Sequence, residues 1–265
     1  MTLDRSTIEV RLDGAVGHVT LDRPDKLNPL GTRTLAELRD AARWFDEQLD
    51  CKVVVVGGRG RVFTAGADIA AFAGADPDDG PTGRDAADMG RRMADAIEAM
   101  RAVTIARIQG WCVGGGVVLA AACDLRVVAD DARFSIPEVD LGIPLAWGGI
   151  PRLVREIGPA RTKELVMTCR PFDAAEALTM GFVNRVVPEP ELDAAVTELA
   201  DSLAGKAGQA LRATKAHTNA VTEEMVGLSR SWADADGLEL GLRDPEGRAA
   251  AARYLDGLGQ RRSGS

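Results

Sequence analysis

The chain is short of the residues on which several chemistries depend. Its 265 residues hold only two histidines, His18 and His217, and four cysteines, Cys51, Cys112, Cys123 and Cys169, with no CxxC pair among them. Neither a zinc site nor a disulfide framework is expected. Basic charge is outweighed, since 32 Lys and Arg face 40 Asp and Glu, leaving a net charge of -8 and a pI near 5.0. Nucleic-acid binding draws its affinity from clustered cations, so nucleic acid is not an expected partner. No apolar run approaches the roughly 18 residues that a bilayer crossing needs. The opening residues MTLDRSTIEV show neither the basic nor the apolar segment of a signal peptide. A cytoplasmic protein that engages no membrane is the expectation.

What is present, 46% hydrophobic and 27% charged residues, suffices for a large folded core. Ile8, Val10 and Leu12 alternate with polar residues, which predicts a half-buried strand, followed by a second over Val16 to Leu21. Thr32 to Leu49 places Leu35, Leu38, Ala42, Phe45 and Leu49 at helical spacing. The run Val53 to Val56 reads as a buried strand closed by a turn at Gly57 to Gly60. Helices are expected over Arg84 to Met100, Gly114 to Ala122, Pro151 to Ile157, Ala160 to Thr168 and Asp173 to Met180. Further strands are expected over Val103 to Ile108, Asp124 to Val128 and Phe182 to Val187. Residues 73-83, rich in Gly, Pro and Asp, read as a surface loop. Beyond Glu189 the pattern is mostly helical, so an α/β core over 1-190 with a helical region over 191-265 fits.

The stretch GWCVGGGVVL, Gly110 to Leu119, sets four glycines at a strand-to-helix junction. Bare residues there leave backbone N–H groups uncovered at the positive end of a helix. A phosphate cradle is disfavoured, because no GxxxxGK[ST] or GxGxxG pattern is matched. Tight helix packing and an oxyanion hole remain. A second loop of small residues entering a helix, Phe63 to Asp68, could supply the other donor of an oxyanion hole and favours that reading. Asp68 reads as the helix cap there and Asp124 as a residue between helix and strand. His18 reads as an ordinary strand residue. Ser135 has no neighbouring His, so a Ser-His-Asp nucleophile is not expected.

Several ordered motifs then carry a family resemblance. FTAGADI at 63-69, QGWCVGGGVVLAAACDLRV at 109-127, RFSIPEVDLGI at 133-143, GGIPRLVREIG at 148-158 and AAEALTMGFVNRVVP at 174-188 resemble the crotonase, or enoyl-CoA hydratase/isomerase, superfamily. The resemblance implies an α/β spiral of ββα units with a helical C-terminal region that makes trimers, often paired into hexamers. It implies an acyl-CoA thioester as substrate, with coenzyme A part of that substrate and no separate cofactor or metal. The thioester oxygen would take N–H groups of Ala67 and Gly115. Lys26, Leu27, Ala65 and Ile69 would contact the coenzyme A moiety.

The same resemblance makes Glu138, in IPEVD, the acid-base carboxylate at the α-carbon. Hydratases of the family use a second glutamate at the position of Val118, and a valine cannot move a proton. Dienoyl isomerases and aryl-CoA dehalogenases place an Asp where this chain has Ala146. Asp140, two residues from Glu138 in what reads as an extended segment, would point to the opposite side. Trp147 could line the acyl pocket or belong to the core. A one-glutamate isomerase, moving a double bond from the delta-3 to the delta-2 position, fits this pattern. A hydratase with atypical water activation and a weakly active acyl-CoA-binding protein stand as alternatives.

Overall fold

The computed structural model describes residues 2–3, 6–68 and 83–263. In chain order its strands are β1 (Thr2–Leu3), β2 (Ile8–Asp13), β3 (Val16–Leu21), β4 (Val53–Gly58), β5 (Val103–Ile108), β6 (Trp111–Val113), β7 (Leu125–Ala129), β8 (Arg133–Ser135), β9 (Phe172–Asp173) and β10 (Arg185–Val187). The helices are α1 (Thr32–Glu47), α2 (Arg84–Ala99), α3 (Gly115–Ala122), α4 (Gly149–Thr168), α5 (Ala174–Met180), α6 (Leu192–Ala204), α7 (Gly208–Met225), α8 (Asp234–Arg243) and α9 (Pro245–Ser263).

A seven-stranded sheet runs in the order β1-β2-β3-β4-β5-β7-β10. Its first three strands pair antiparallel and the rest parallel. The period-two alternation of strands decides which side chains meet which layer. Val54 and Val56 join one core cluster with Leu35, Leu38, Ala42 and Phe45 of α1. Val53 and Val55 turn the other way, onto Leu192, Val196 and Ala200 of α6. A strand covered on both faces reads as a continuous apolar run, which is why VVVV shows no alternation. Every residue of α3 is buried, so this helix carries no polar stripe.

The expected strands and helices recur within a residue or two, with four differences. The strand at Val53 runs on through Gly58, pairing Gly57 with Thr20 and Gly58 with Leu21, where a turn was expected. The strand expected from Phe182 begins only at Arg185, because the N–H groups of Phe182 and Val183 both donate to Ala177 O and close the end of α5. A second, three-stranded sheet in the order β6-β8-β9 was not foreseen. The two helices read over 151-157 and 160-168 meet within α4 at a break, with Gly158 at φ 77° and Pro159 following it.

His18 is a half-buried residue of β3. Asp124 serves the structure by joining strand to helix. Its carboxylate accepts from Thr104 N and Oγ1 at 2.7 and 2.9 Å and pairs with Lys215 at 2.7 Å. All four cysteines are buried and free. Among the described residues no helix is long and apolar enough to cross a membrane.

Candidate active site

The two loops of small residues are stitched together by their own backbone. Phe63 N–H donates to Gln109 O at 2.9 Å, Thr64 N–H to Trp111 O at 3.1 Å, and Val113 N–H back to Thr64 O at 3.2 Å. Gly66, at φ 89°, lies so close to the second loop that a Cβ on it would sit 2.6 Å from Val113 O. Asn28 underpins the first loop from below. Its side-chain amide donates to the carbonyls of Arg59, Val62 and Phe63, while its Oδ1 accepts from Arg23 N–H.

Around Ala67 the flanking groups are spoken for. Leu30 N–H donates to Gly66 O at 2.8 Å and Asp68 N–H to Leu30 O at 3.3 Å, so the Ala67 N–H faces away from that pairing. Gly115 opens α3, where helix geometry leaves the first N–H groups without an intrahelical acceptor. Neither the Ala67 nor the Gly115 N–H has an acceptor among the described residues. Both residues line one apolar cavity of about 160 Å³.

Each glycine of the triplet is bare for a different reason. A Cβ on Gly114, at φ 51°, would stand 2.6 Å from Glu138 Oε1. One on Gly115 would overlap the Trp147 ring, and one on Gly116 the Thr64 methyl. The triplet therefore admits the carboxylate, the cavity wall and the neighbouring loop in turn.

Glu138 lies in the turn after β8, not in an extended segment. Leu141 N–H donates to Pro137 O at 3.0 Å and Ile143 N–H to Glu138 O at 2.9 Å, winding the chain back on itself. Asp140 is exposed and lines a different cavity, so the two carboxyls stay apart for a different reason than strand alternation. Glu138 Oε2 is shut off from solvent and has no hydrogen-bond partner among the described residues. Burial disfavours the charged form and pushes the carboxyl up to about 7. It is then half-ionised near neutrality, poised to accept or return a proton.

Val118 and Ala146 are buried and line the same cavity as apolar wall. Trp147 is both wall and core. Its backbone is held at φ 62° by Arg152, which donates to Trp147 O and Gly148 O, and by Asp234 of α8, which accepts from Gly148 N–H at 2.8 Å. Leu238 and Leu242 of α8 and Ala251 and Tyr254 of α9 close the far side. These four went unseen in the sequence, and nothing local to them signals a site.

Ala65 lines the cavity, and its N–H donates to Leu27 O at 2.9 Å. Leu27 and the exposed Lys26 therefore sit beside the cavity without lining it. Ile69, and any helix that Asp68 would cap, lie outside the described residues. Among the described residues no cluster of His, Cys, Asp and Glu could hold a metal ion.

Residues 11–240 match the family model described as enoyl-CoA hydratase/isomerase. The chain belongs to that family. It is similar to a probable enoyl-CoA hydratase of Mycobacterium bovis, at 37% identity over 82% of each chain. It is also similar to the peroxisomal Delta(3,5)-Delta(2,4)-dienoyl-CoA isomerase of Arabidopsis thaliana, at 35% identity over 82% of this chain and 83% of that one. A crystal structure of an enoyl-CoA hydratase from Mycobacterium avium subsp. paratuberculosis superposes with a TM-score of 0.84 at 28% identity, covering 94% of this chain and 99% of that one. The α/β fold is thus the crotonase fold, and the protein is an enzyme of the hydratase/isomerase family.

Proposed function

We propose that the protein is an enoyl-CoA isomerase that moves a double bond from the delta-3 to the delta-2 position with one carboxylate. The reading is carried by Glu138. It is the sole carboxylate that lines the cavity among the described residues, it is desolvated, and it stands over Gly114 next to two unclaimed N–H donors. The thioester oxygen accepts from Ala67 and Gly115 N–H. Glu138 removes a proton from C2, the electron pair spreads through the dienolate onto that oxygen, and the same carboxyl returns the proton at C4. Each N–H aimed at the developing charge is worth roughly 3 to 4 kcal/mol. Lys26, Leu27, Ala65 and Ile69 would hold the coenzyme A portion, and residues 191-265 would join copies into a trimer or a hexamer.

A hydratase reading draws on the names of relatives such as the Mycobacterium bovis protein. Hydration needs a second group to deprotonate water, and Val118 cannot serve. The deciding experiment supplies 3-hexenoyl-CoA and 2-hexenoyl-CoA in heavy water. Double-bond migration with deuterium entering at C2 and C4 is expected, with little 3-hydroxyhexanoyl-CoA. Rapid hydration without migration would overturn the isomerase in favour of the hydratase, and no reaction at all would leave a binding protein.

A further inference from the structure

The cavity that holds Glu138 is small. At about 160 Å³ it is close to the volume that a single benzene molecule fills, roughly six carbons. Adjoining it is a second, more open cavity of about 770 Å³ whose wall includes Asp140, Asp244, Glu246 and Arg253. Ile143, Pro144 and Tyr254 line both cavities, so they form the partition between an apolar chamber and a charged one.

The partition is anchored where two backbones touch. A Cβ on Gly142, at φ 69°, would overlap Gly247 of α9, and one on Gly241 of α8 would lie 3.3 Å from Ile143. Gly247 N–H donates to Asp244 Oδ2 at 2.7 Å, and Ile143 N–H to Glu138 O. With no side chain between these backbones, the 142–143 turn packs directly on α8 and α9. This turn supplies Ile143 and Pro144. Among the described residues the third shared wall is Tyr254, the chain's one tyrosine. An alkyl tail that passed it would meet acidic and basic side chains and give up its apolar contacts.

We propose that Tyr254 is a specificity-determining residue that closes the acyl cavity and limits the substrate to acyl groups of about six carbons. This rests on the acyl-CoA reading of the site and is independent of the isomerase step. Binding of saturated acyl-CoA esters tests it without turnover. For the wild type, calorimetry should give affinity that rises from acetyl- to hexanoyl-CoA and falls at least tenfold by dodecanoyl-CoA. Tyr254→Ala should bring dodecanoyl-CoA to within about threefold of hexanoyl-CoA. Tyr254→Phe, which keeps the ring, should retain the wild-type discrimination. If Tyr254→Ala does not fold, Tyr254→Leu is read in its place. Equal wild-type affinity for the hexanoyl and dodecanoyl esters, or discrimination that survives loss of the ring, overturns the partition alone. Failure of every ester to bind overturns the acyl-CoA reading and this proposal with it. Normal length-dependent binding without double-bond migration overturns only the isomerase step.

Discussion

Glu37 on α1 and Glu138 in the turn after β8 both bring a carboxyl into the interior, yet the two carboxyls end on opposite sides of ordinary glutamate. Burial pushes the Glu37 carboxyl up, but Thr7 and Ser6 each donate a backbone N–H and a hydroxyl to it, and these bonds carry it down to about 2. Glu138 meets the same desolvation with Oε2 unpartnered, and rises to about 7. One carboxyl ties the N-terminal segment to a helix; the other is left hungry for a proton. The satisfied acid has a structural task, whereas a desolvated and unpartnered one is what the proposed proton transfer requires.

The largest break in this contrast comes from Glu138→Gln. Its double-bond migration should fall by about 10³-fold or more, within the usual range for losing a general base, while acyl-CoA affinity changes little. In the wild type, kcat/KM should rise with pH up to about 7 and then level off, because the base must be deprotonated. Turnover by the Gln variant at a tenth of the wild-type rate or better would remove Glu138 from the mechanism.

The second test concerns stability. The folded carboxyl binds its proton more tightly than the ordinary value of 4.5, so the contribution of Glu138 to stability is fullest below 4.5 and declines as pH rises to about 7. Glu138→Gln lacks this decline. It should be more stable than wild type by roughly 3 kcal/mol above pH 7, at about 1.4 kcal/mol per pH unit, and by little at pH 4.5. Urea melts at pH 4.5 and pH 8 decide it, and parallel melts at both would show that Glu138 is not desolvated.

Glu37→Ala sharpens the comparison from the other side and has the smallest expected effect. Removing the acceptor leaves the Ser6 and Thr7 donors unsatisfied and should cost about 2 kcal/mol at neutral pH. Here the folded value is depressed, so the stabilisation is present above 4.5 and fades as pH falls toward 2. The difference from wild type should shrink in acid, and turnover per folded molecule should not change. A deficit that stays constant into acid would mean that the carboxylate charge is not what holds the segment.

Long elements were readable because their periodicity spans many residues, as in Leu35, Leu38, Ala42 and Phe45 of α1. The strands β6, β8 and β9 are two or three residues each, too short to alternate, and they escaped notice. At the site, the motif around Glu138 led to a carboxyl that the structure does set beside Gly114. Asp140 illustrates the limit: a proline-initiated turn resembles an extended strand until its hydrogen bonds are known. Glu37 was missed because its Ser6 and Thr7 donors lie some 30 residues away in sequence. Tyr254 and Leu242 were missed for the same reason, since only tertiary packing brings them to a cavity begun near residue 65.

That packing also fixes when the site can exist. Leu238, Leu242, Ala251 and Tyr254 follow both N–H donors by more than a hundred residues, so they leave a ribosome well after them. During synthesis the donors and the carboxylate precede the wall that keeps water from them, so the nascent enzyme carries an open trough. Helices α8 and α9 supply the wall that turns this trough into a cavity.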